Sequence, residues 1–277
     1  MPADMSLKYD RIGSWSIIKL EIIQKYAQVY SEILSKQKKV NLYHVYIDAF
    51  AGPGKHRSRK TGEFVRGSPQ IALDINPPFK EYHFVDIDSD KANELLLLTA
   101  QRPEAHIHYG DCNEILLTKV FPEIDYKNFR RGLCLLDPYG LHLKWEVIKT
   151  AGRIKSIEMF LNFPIADMNR NVLYHNPSKV RPAEIQRMNN YWGDESWREE
   201  AYITQNDMFG SEVMLKQGNE EIVSAFRERL INVAGFQYVP RPLPMRTSTR
   251  SIIYYLFFAS QKPVAAHIVS DIFSKYR

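Results

Sequence analysis

Short apolar runs, each closed by a carboxylate or an amide, alternate with stretches of helical spacing along the first half of the chain. Tyr43–Ile47 is aromatic and β-branched and delivers Asp48 into a glycine-containing loop, while Tyr82–Val85 closes on Asp86. His106–Tyr109 closes on Gly110-Asp111, and Leu133–Leu136 closes on Asp137-Pro138-Tyr139-Gly140. Ile157–Phe163 is a further run of this kind, ending in Asn162-Phe163-Pro164. Runs of this length, followed by helix-patterned sequence, predict a parallel α/β sheet with ligands at the carboxyl ends of its strands. One aspartate at such a place is most simply a helix cap. The series points to a site.

Upstream, Trp15, Ile18, Ile22, Tyr26, Val29, Tyr30 and Ile33 recur at helical spacing. They predict a long amphipathic helix with Ser14 as N-cap and Lys36, Lys38 and Lys39 at its far end, where positive charge suits the helix dipole. This helix either covers the sheet or, through Trp15 and Lys19, lines a ligand cleft. A helix over Lys91–Leu98, capped by Asp88, is expected to bury its Leu95–Leu98 run. From Ile165 to about Lys216 the pattern mixes polar, basic and aromatic residues, among them Arg170, Arg181, Arg187, Tyr191 and Trp192. That reads as a helical insertion, either a substrate lid or a plain surface subdomain. Helical spacing resumes with Ile222, Ala225, Phe226 and Leu230. Phe236–Val239 and Ser251–Ala259 read as a final antiparallel pair, and Val264–Phe273 as a terminal helix. No internal repeat or low-complexity linker divides the chain. The expected organisation is one domain: an N-terminal helix (1–40), a core (41–164), the insertion (165–217) and the rest of the sheet with the terminal helix (218–277).

The loop after Asp48 reads A-F-A-G-P-G-K, and Gly52 and Gly54 let backbone turn tightly and approach a bound molecule. The third glycine of a dinucleotide fingerprint is missing. Instead Lys55-His56-Arg57-Ser58-Arg59-Lys60 intervenes, and the next helix is delayed to Ser68-Pro69, with Ser68 as its expected N-cap. The basic hexapeptide is a solvated loop or, beside a site, a phosphate contact.

D-A-F-A-G-P-G, F-V-D-I-D, Y-G-D-C and L-D-P-Y together resemble the successive motifs of class I S-adenosylmethionine-dependent methyltransferases. W-S-I-I-K-L, F-A-G-P-G, R-G-S-P, L-D-P-Y-G, L-N-F-P and Y-Y-L-F-F-A-S extend a closer resemblance, to the three-Cys-motif partner proteins (TcmP), over nearly the whole chain. The resemblance implies a Rossmann-like α/β fold whose seven-stranded, mostly parallel sheet has its last strand inserted antiparallel. It also implies S-adenosylmethionine as cofactor, held at Asp48, Phe50, Gly52, Gly54, Ser68, Asp86, Ile87, Asp111 and Cys112. In this reading Asp86 accepts the ribose hydroxyls, Ile87 packs on adenine, and Asp111 with the Cys112 amide meets the adenine edge. Asp111 as a mere cap remains the alternative.

Asp137, Pro138 and Tyr139 fall where amino-group methyltransferases carry Asp/Asn-Pro-Pro-aromatic, with side-chain oxygen and proline carbonyl gripping the amino hydrogens and the ring stacking on substrate. Here the second proline is missing and Gly140 follows Tyr139, a departure that leaves oxygen and small-molecule acceptors open. Lys55, Arg57, Asn162 and Arg170 are the candidate substrate contacts, suited to a nucleic acid or nucleotide. Two functions fit: an active methyltransferase, or a methyltransferase-shaped partner that docks to a companion three-cysteine radical-type enzyme.

Composition narrows this only slightly. The 277 residues are 44% hydrophobic and 25% charged, ordinary values for a globular chain, and the net charge of +5 permits an acidic partner without requiring one. No apolar run is long enough for a bilayer, which argues against a membrane partner, and no secretory pattern opens the sequence, so a cytoplasmic protein is expected. Cys112 and Cys134, the two cysteines, read as reduced core residues. No C-x-x-C or H-E-x-x-H spacing calls for a metal.

Overall fold

The computed structural model describes residues 9–37, 41–206 and 212–277. A short strand β1 (Arg11–Ile12) precedes the long helix α1 (Ser14–Ser35), and β2 (Tyr43–Asp48) enters the main sheet. The antiparallel hairpin β3 (Lys55–Ser58) and β4 (Phe64–Arg66) follows, then α2 (Ser68–Leu73), β5 (Glu81–Asp86), α3 (Ser89–Leu98), β6 (Ala105–Tyr109) and α4 (Cys112–Ile115). Next come β7 (Arg130–Leu136), α5 (Trp145–Ile154), β8 (Ile157–Phe163), α6 (Ile165–Asn171), α7 (Pro182–Trp192) and α8 (Trp197–Ala201). The antiparallel pair β9 (Tyr202–Asn206) and β10 (Glu212–Lys216), α9 (Asn219–Asn232), β11 (Leu243–Arg246), β12 (Ile252–Ala259) and α10 (Pro263–Ser274) complete the chain.

The main sheet has seven strands in the order β11-β12-β8-β7-β2-β5-β6. β6, β5, β2, β7 and β8 run parallel, while the last strand, β12, is antiparallel to β8 and sits between β8 and β11. This is the Rossmann-like class I methyltransferase arrangement. Because all five parallel strands point one way, the residues that end them gather along one edge.

Strand periodicity divides the core in two. Val45, Ile47, Cys134, Leu136, Leu161 and Phe257 face a layer that includes α5, α7 and α9. Their neighbours Tyr46, Phe84, Leu133, Leu135, Phe160 and Phe258 face α1, α2 and α10. A sheet covered on both faces needs near-continuous apolar strands, which is why these runs read so clearly in the sequence.

Several local expectations are corrected. Ser14 is the first helical residue, and the N-cap of α1 is Gly13 with no side-chain bond; Ser68 likewise sits inside α2, behind Gly67. Lys38 and Lys39 lie outside the described residues. In α3 only Leu95 of the leucine run is buried, because four consecutive helical positions sweep the whole circumference; Leu97 is 73% exposed. The basic hexapeptide is no plain loop: Lys55–Ser58 is β3, Arg59 and Lys60 open the turn to β4, and β1 joins this hairpin in a separate three-stranded sheet. The partner of β12 is β11, since Phe236–Val239 contributes only a bridge between Tyr238 and Ser260.

The insertion is helical except for β9 and β10, and it is fastened by aromatics rather than left free. Phe226 of α9 lies 4.6 Å from Phe163, 5.8 Å from Tyr191 and 5.4 Å from Trp192, ring centre to ring centre. Tyr191 and Trp192, expected on a substrate rim, are therefore core residues.

Candidate active site

A cleft of about 1030 Å³ opens where the parallel strands end. Backbone bonds strap the loops there onto the sheet: Ala51 N donates to Val85 O at 2.9 Å, and Gly110 N to Asp86 O at 3.0 Å. Asp86 closes β5 with both oxygens in use, Oδ2 accepting from the Gly52 amide at 2.8 Å and Oδ1 from the Asp88 amide at 2.9 Å. Each oxygen keeps a second lone pair for a ligand hydroxyl. Beside it Ile87 is 73% exposed into the cleft, an unusual place for an aliphatic side chain unless something flat covers it.

Gly52 lines the cleft with φ +63, and a Cβ there would meet only His56, at 3.6 Å; conformation rather than crowding demands glycine. Gly54 is buried at φ +80, again a conformation that favours glycine, and does not line the cleft; a Cβ there would meet the Cδ2 end of the Leu98 side chain at 2.7 Å.

Across the cleft, Asp111 caps α4: its Oδ1 accepts from the Asn113 amide and from Asn113 Nδ2. Asn113 also donates to His142 O and accepts from the Lys144 amide, which ties the loop after Asp137 to the end of β6. Asp111 and Cys112 both line the cleft, so the capping role and an outward-facing role coexist. Burial pushes the Cys112 thiol up to about 12, which keeps it neutral and leaves its contribution to packing.

Asp137 is held from two sides. Lys19 of α1, itself buried, forms an ion pair with Oδ2, and Asn162 Nδ2 donates to Oδ1 at 2.9 Å. Lys19 also lies 5.5 Å from the ring centre of Tyr254. The following Tyr139 is 76% exposed at the mouth of the cleft. Gly140, at φ +60, leaves room for the next layer: a Cβ would fall 2.7 Å from Asp167 and 3.3 Å from Arg187. Arg187 in turn donates to Glu184 at 2.7 Å.

Asp48 lies just behind this wall, fully buried, accepting from the Phe50 amide at 3.3 Å. Burial pushes its carboxyl up to about 7, with nearby Asp137 adding to the rise, against the lowering effects of the Ser68 hydroxyl, the Phe50 amide and Lys19. No hydrogen-bond partner reaches its Oδ2, nor His56 Nδ1, Asn162 Oδ1 or Arg187 Nε, all buried and all at or beside the cleft, while Asp167 Oδ2 there has only the Arg187 guanidinium at 3.8 Å. Buried polar atoms without partners are costly, which makes those that border the cleft candidates for contact with a ligand.

Of the residues expected from sequence, Phe50, Gly52, Ser68, Asp86, Ile87, Asp111, Cys112, Asp137, Pro138, Tyr139, Asn162 and Arg170 line the cleft. Trp15 and Lys19 do as well. Lys55 and Arg57 do not. Their cations lie over Phe64, at 5.5 and 4.7 Å, on the far side of the hairpin. Strand alternation sends His56 inward instead, and Arg59 also reaches the cleft. Arg181 pairs with Glu184 at 3.1 Å and is likewise no cleft residue. Arg187, expected on the substrate rim, does line the cleft, whereas His56, Asn113 and Asp167 were not singled out as site residues. The alternation of K-H-R-S could have shown His56; the other two depend on tertiary approach.

No family model matches the chain, and no curated protein matches it. Among solved structures, protein LPL1258 from Legionella pneumophila resembles it at 11% identity, covering 93% of this chain and 92% of its own, with a TM-score of 0.48. A carbon methyltransferase, CurJ, is similar at 12% identity over 86% of this chain and 54% of its own, TM-score 0.43. An S-adenosylmethionine-dependent methyltransferase from Clostridium acetobutylicum is similar at 11% over 86% and 91%, TM-score 0.38. Likenesses this distant carry no argument about activity, and the fold assignment rests on strand order and direction.

Proposed function

We propose that the protein is an S-adenosylmethionine-dependent methyltransferase. The observation that supports this best is the strand end at Asp86, where a carboxylate tied to the Gly52 amide stands beside an exposed Ile87 and opposite Asp111 and Cys112. That set offers acceptors for vicinal hydroxyls, an apolar face for a purine and an edge for its amino group. The unpaired groups fit the same ligand: Asp48 Oδ2 and His56 Nδ1 flank the glycine loop, where its charged amino-acid end belongs. About 1030 Å³ also leaves space for an acceptor.

S-adenosylmethionine, when bound, supplies a methyl group on a sulfonium that is already a good leaving group. What remains for the chain is positioning and exclusion of water. Asp86 and Ile87 hold the nucleoside. Lys19 and Asn162 fix Asp137 so that its free lone pairs point at an incoming donor, such as an amino group, and the exposed Tyr139 ring offers a stacking platform for a base, a nucleotide or a polar small molecule. Arg59, Lys91, Arg170 and Arg187 supply positive charge around that platform.

A second reading is supported by the ion pair itself. Both oxygens of Asp137 are already engaged, as they would be if the cleft were retained for shape by a partner of a three-cysteine radical-type enzyme. Labelled methyl transfer into cell extract, separated into nucleic acid, protein and small molecules, distinguishes the two. The methyltransferase reading expects label in one fraction, lost in Asp137→Asn while S-adenosylhomocysteine still binds. No transfer to any fraction despite tight cofactor binding would favour the partner.

A further inference from the structure

A second cavity, of about 650 Å³, lies against the edge strand β11. It shares two walls with the cleft but not their faces: α1 turns Trp15 and Lys19 to the cleft and Ile18 to this cavity, and β12 does the same with Tyr254 and Tyr255. Its floor is apolar, made of Ile18, Val223, Pro242, Pro244 and Met245. Its rim is not. Arg227, Arg241, Arg246 and Arg277 all line it, and Glu220 is the carboxylate side chain that faces them.

These arginines are held largely by backbone carbonyls. Arg227 Nε donates to Val239 O at 2.7 Å, Arg246 donates to Arg250 O at 3.0 Å, and Arg277 to Arg241 O at 2.8 Å. Arg227 also meets Glu228 at 2.9 Å, and Glu220 is engaged by the Tyr255 hydroxyl at 2.9 Å. Among the described residues Arg241 has no side-chain hydrogen bond or ion pair. Carbonyl bonds orient a guanidinium without neutralising it, so among the described residues Arg241, Arg246 and Arg277 converge on one cavity without an ion pair to a carboxylate side chain. Charge on an edge strand also deters strand addition. That role does not explain Arg227, Arg241 and Arg277, which lie outside β11.

We propose that this cavity binds a phosphomonoester carried on a partly apolar body, of the nucleotide type. The planar, multi-donor guanidinium matches phosphate oxygens bidentately, and the proline- and methionine-lined floor takes the body. The same group occurs on a free nucleotide and at the 5′ end of a nucleic acid chain. The proposal does not depend on what the cleft binds.

The test is calorimetry of the full chain with AMP, with a 5′-phosphorylated tetranucleotide and with its 5′-hydroxyl counterpart, at roughly 50 mM salt. Binding of AMP alone identifies a free nucleotide, and binding of the phosphorylated oligomer identifies a chain end; either supports the site. Arg241→Ala combined with Arg246→Ala is expected to weaken that binding by about tenfold or more. The titrations are run with S-adenosylhomocysteine in excess, so that adenosine binding at Asp86 does not contribute and the heat reports this cavity rather than the cleft. Arg241→Ala alone, at a side chain without structural partners, should melt like the parent and still lose affinity. Binding to neither phosphate at about 1 mM ligand, equal binding of the 5′-hydroxyl oligomer, or parent-like affinity in the double variant would overturn the proposal.

Discussion

The two halves of the cleft are built on opposite principles. In the half formed by β2, β5 and β6, the carboxylates of Asp86 and Asp111 are held by backbone and neighbouring amides and face the cleft with lone pairs to spare. In the half formed by β7 and β8, Asp137 is locked to a buried lysine from a distant helix and to Asn162. The first half is organised by strand-end loops of the sheet itself, with the Gly52 amide reaching Asp86 from the neighbouring strand's loop. The second exists only when α1 is docked. In the proposed function, recognition of a nucleoside would thus be a property of the sheet edge and the acceptor side a property of the assembled domain.

The comparison breaks most visibly at Asp137. Asp137→Ala should leave Lys19 as a buried, uncompensated charge and lower stability by about 3–5 kcal/mol, read as a lower melting temperature. Pairing it with Lys19→Met should recover much of the loss. A parent-like melt for Asp137→Ala would mean that α1 does not depend on the ion pair.

Asp48 offers a pH signature. Its folded-state carboxyl is pushed up from 3.8 to about 7, so the folded protein holds the proton more tightly than the unfolded chain. The associated stability is present at low pH, falls as pH rises between those values and is level above them. Glu158, half-buried and pushed up to about 7 by desolvation, contributes in the same direction. Asp48→Asn should therefore flatten part of the decline and be the more stable protein at about pH 8, by on the order of 2 kcal/mol. An unchanged slope in urea melts across this range would show that Asp48 is ionised throughout.

A smaller effect sharpens the nucleoside half. Ile87 is exposed, so Ile87→Ala should not alter the melt, yet it should weaken nucleoside binding about three- to tenfold by removing the apolar face. Unaltered affinity would place the purine elsewhere.

How much of this was legible in the sequence follows the same division. Asp86, Ile87, Gly52 and Asp111 could be read because strand ends and turn glycines are local signals. The ion pair of Lys19 with Asp137 spans 118 residues and has no local trace beyond Lys19 falling on one side of an amphipathic helix. Tyr191 and Trp192 looked like rim residues because basic and amide side chains surround them. Their spacing from Met188 on one face of α7 is nonetheless a core pattern. Lys55 and Arg57 were misplaced because a strand pair was read as a loop, and with it the alternation that turns them away was lost. Gly54 shows the same limit from another side, since a glycine that borders the cleft and one buried behind it look identical until the loop is folded.

The central claim is that the Asp86 strand end is a nucleoside site for S-adenosylmethionine, and calorimetry with S-adenosylhomocysteine on the parent and on Asp86→Ala tests it most directly. The expected result is clear binding by the parent, a loss of about 30- to 100-fold in the variant with its fold retained, and no comparable affinity for NAD. Tight binding of NAD with none of S-adenosylhomocysteine, or equal affinity in parent and variant, would contradict it.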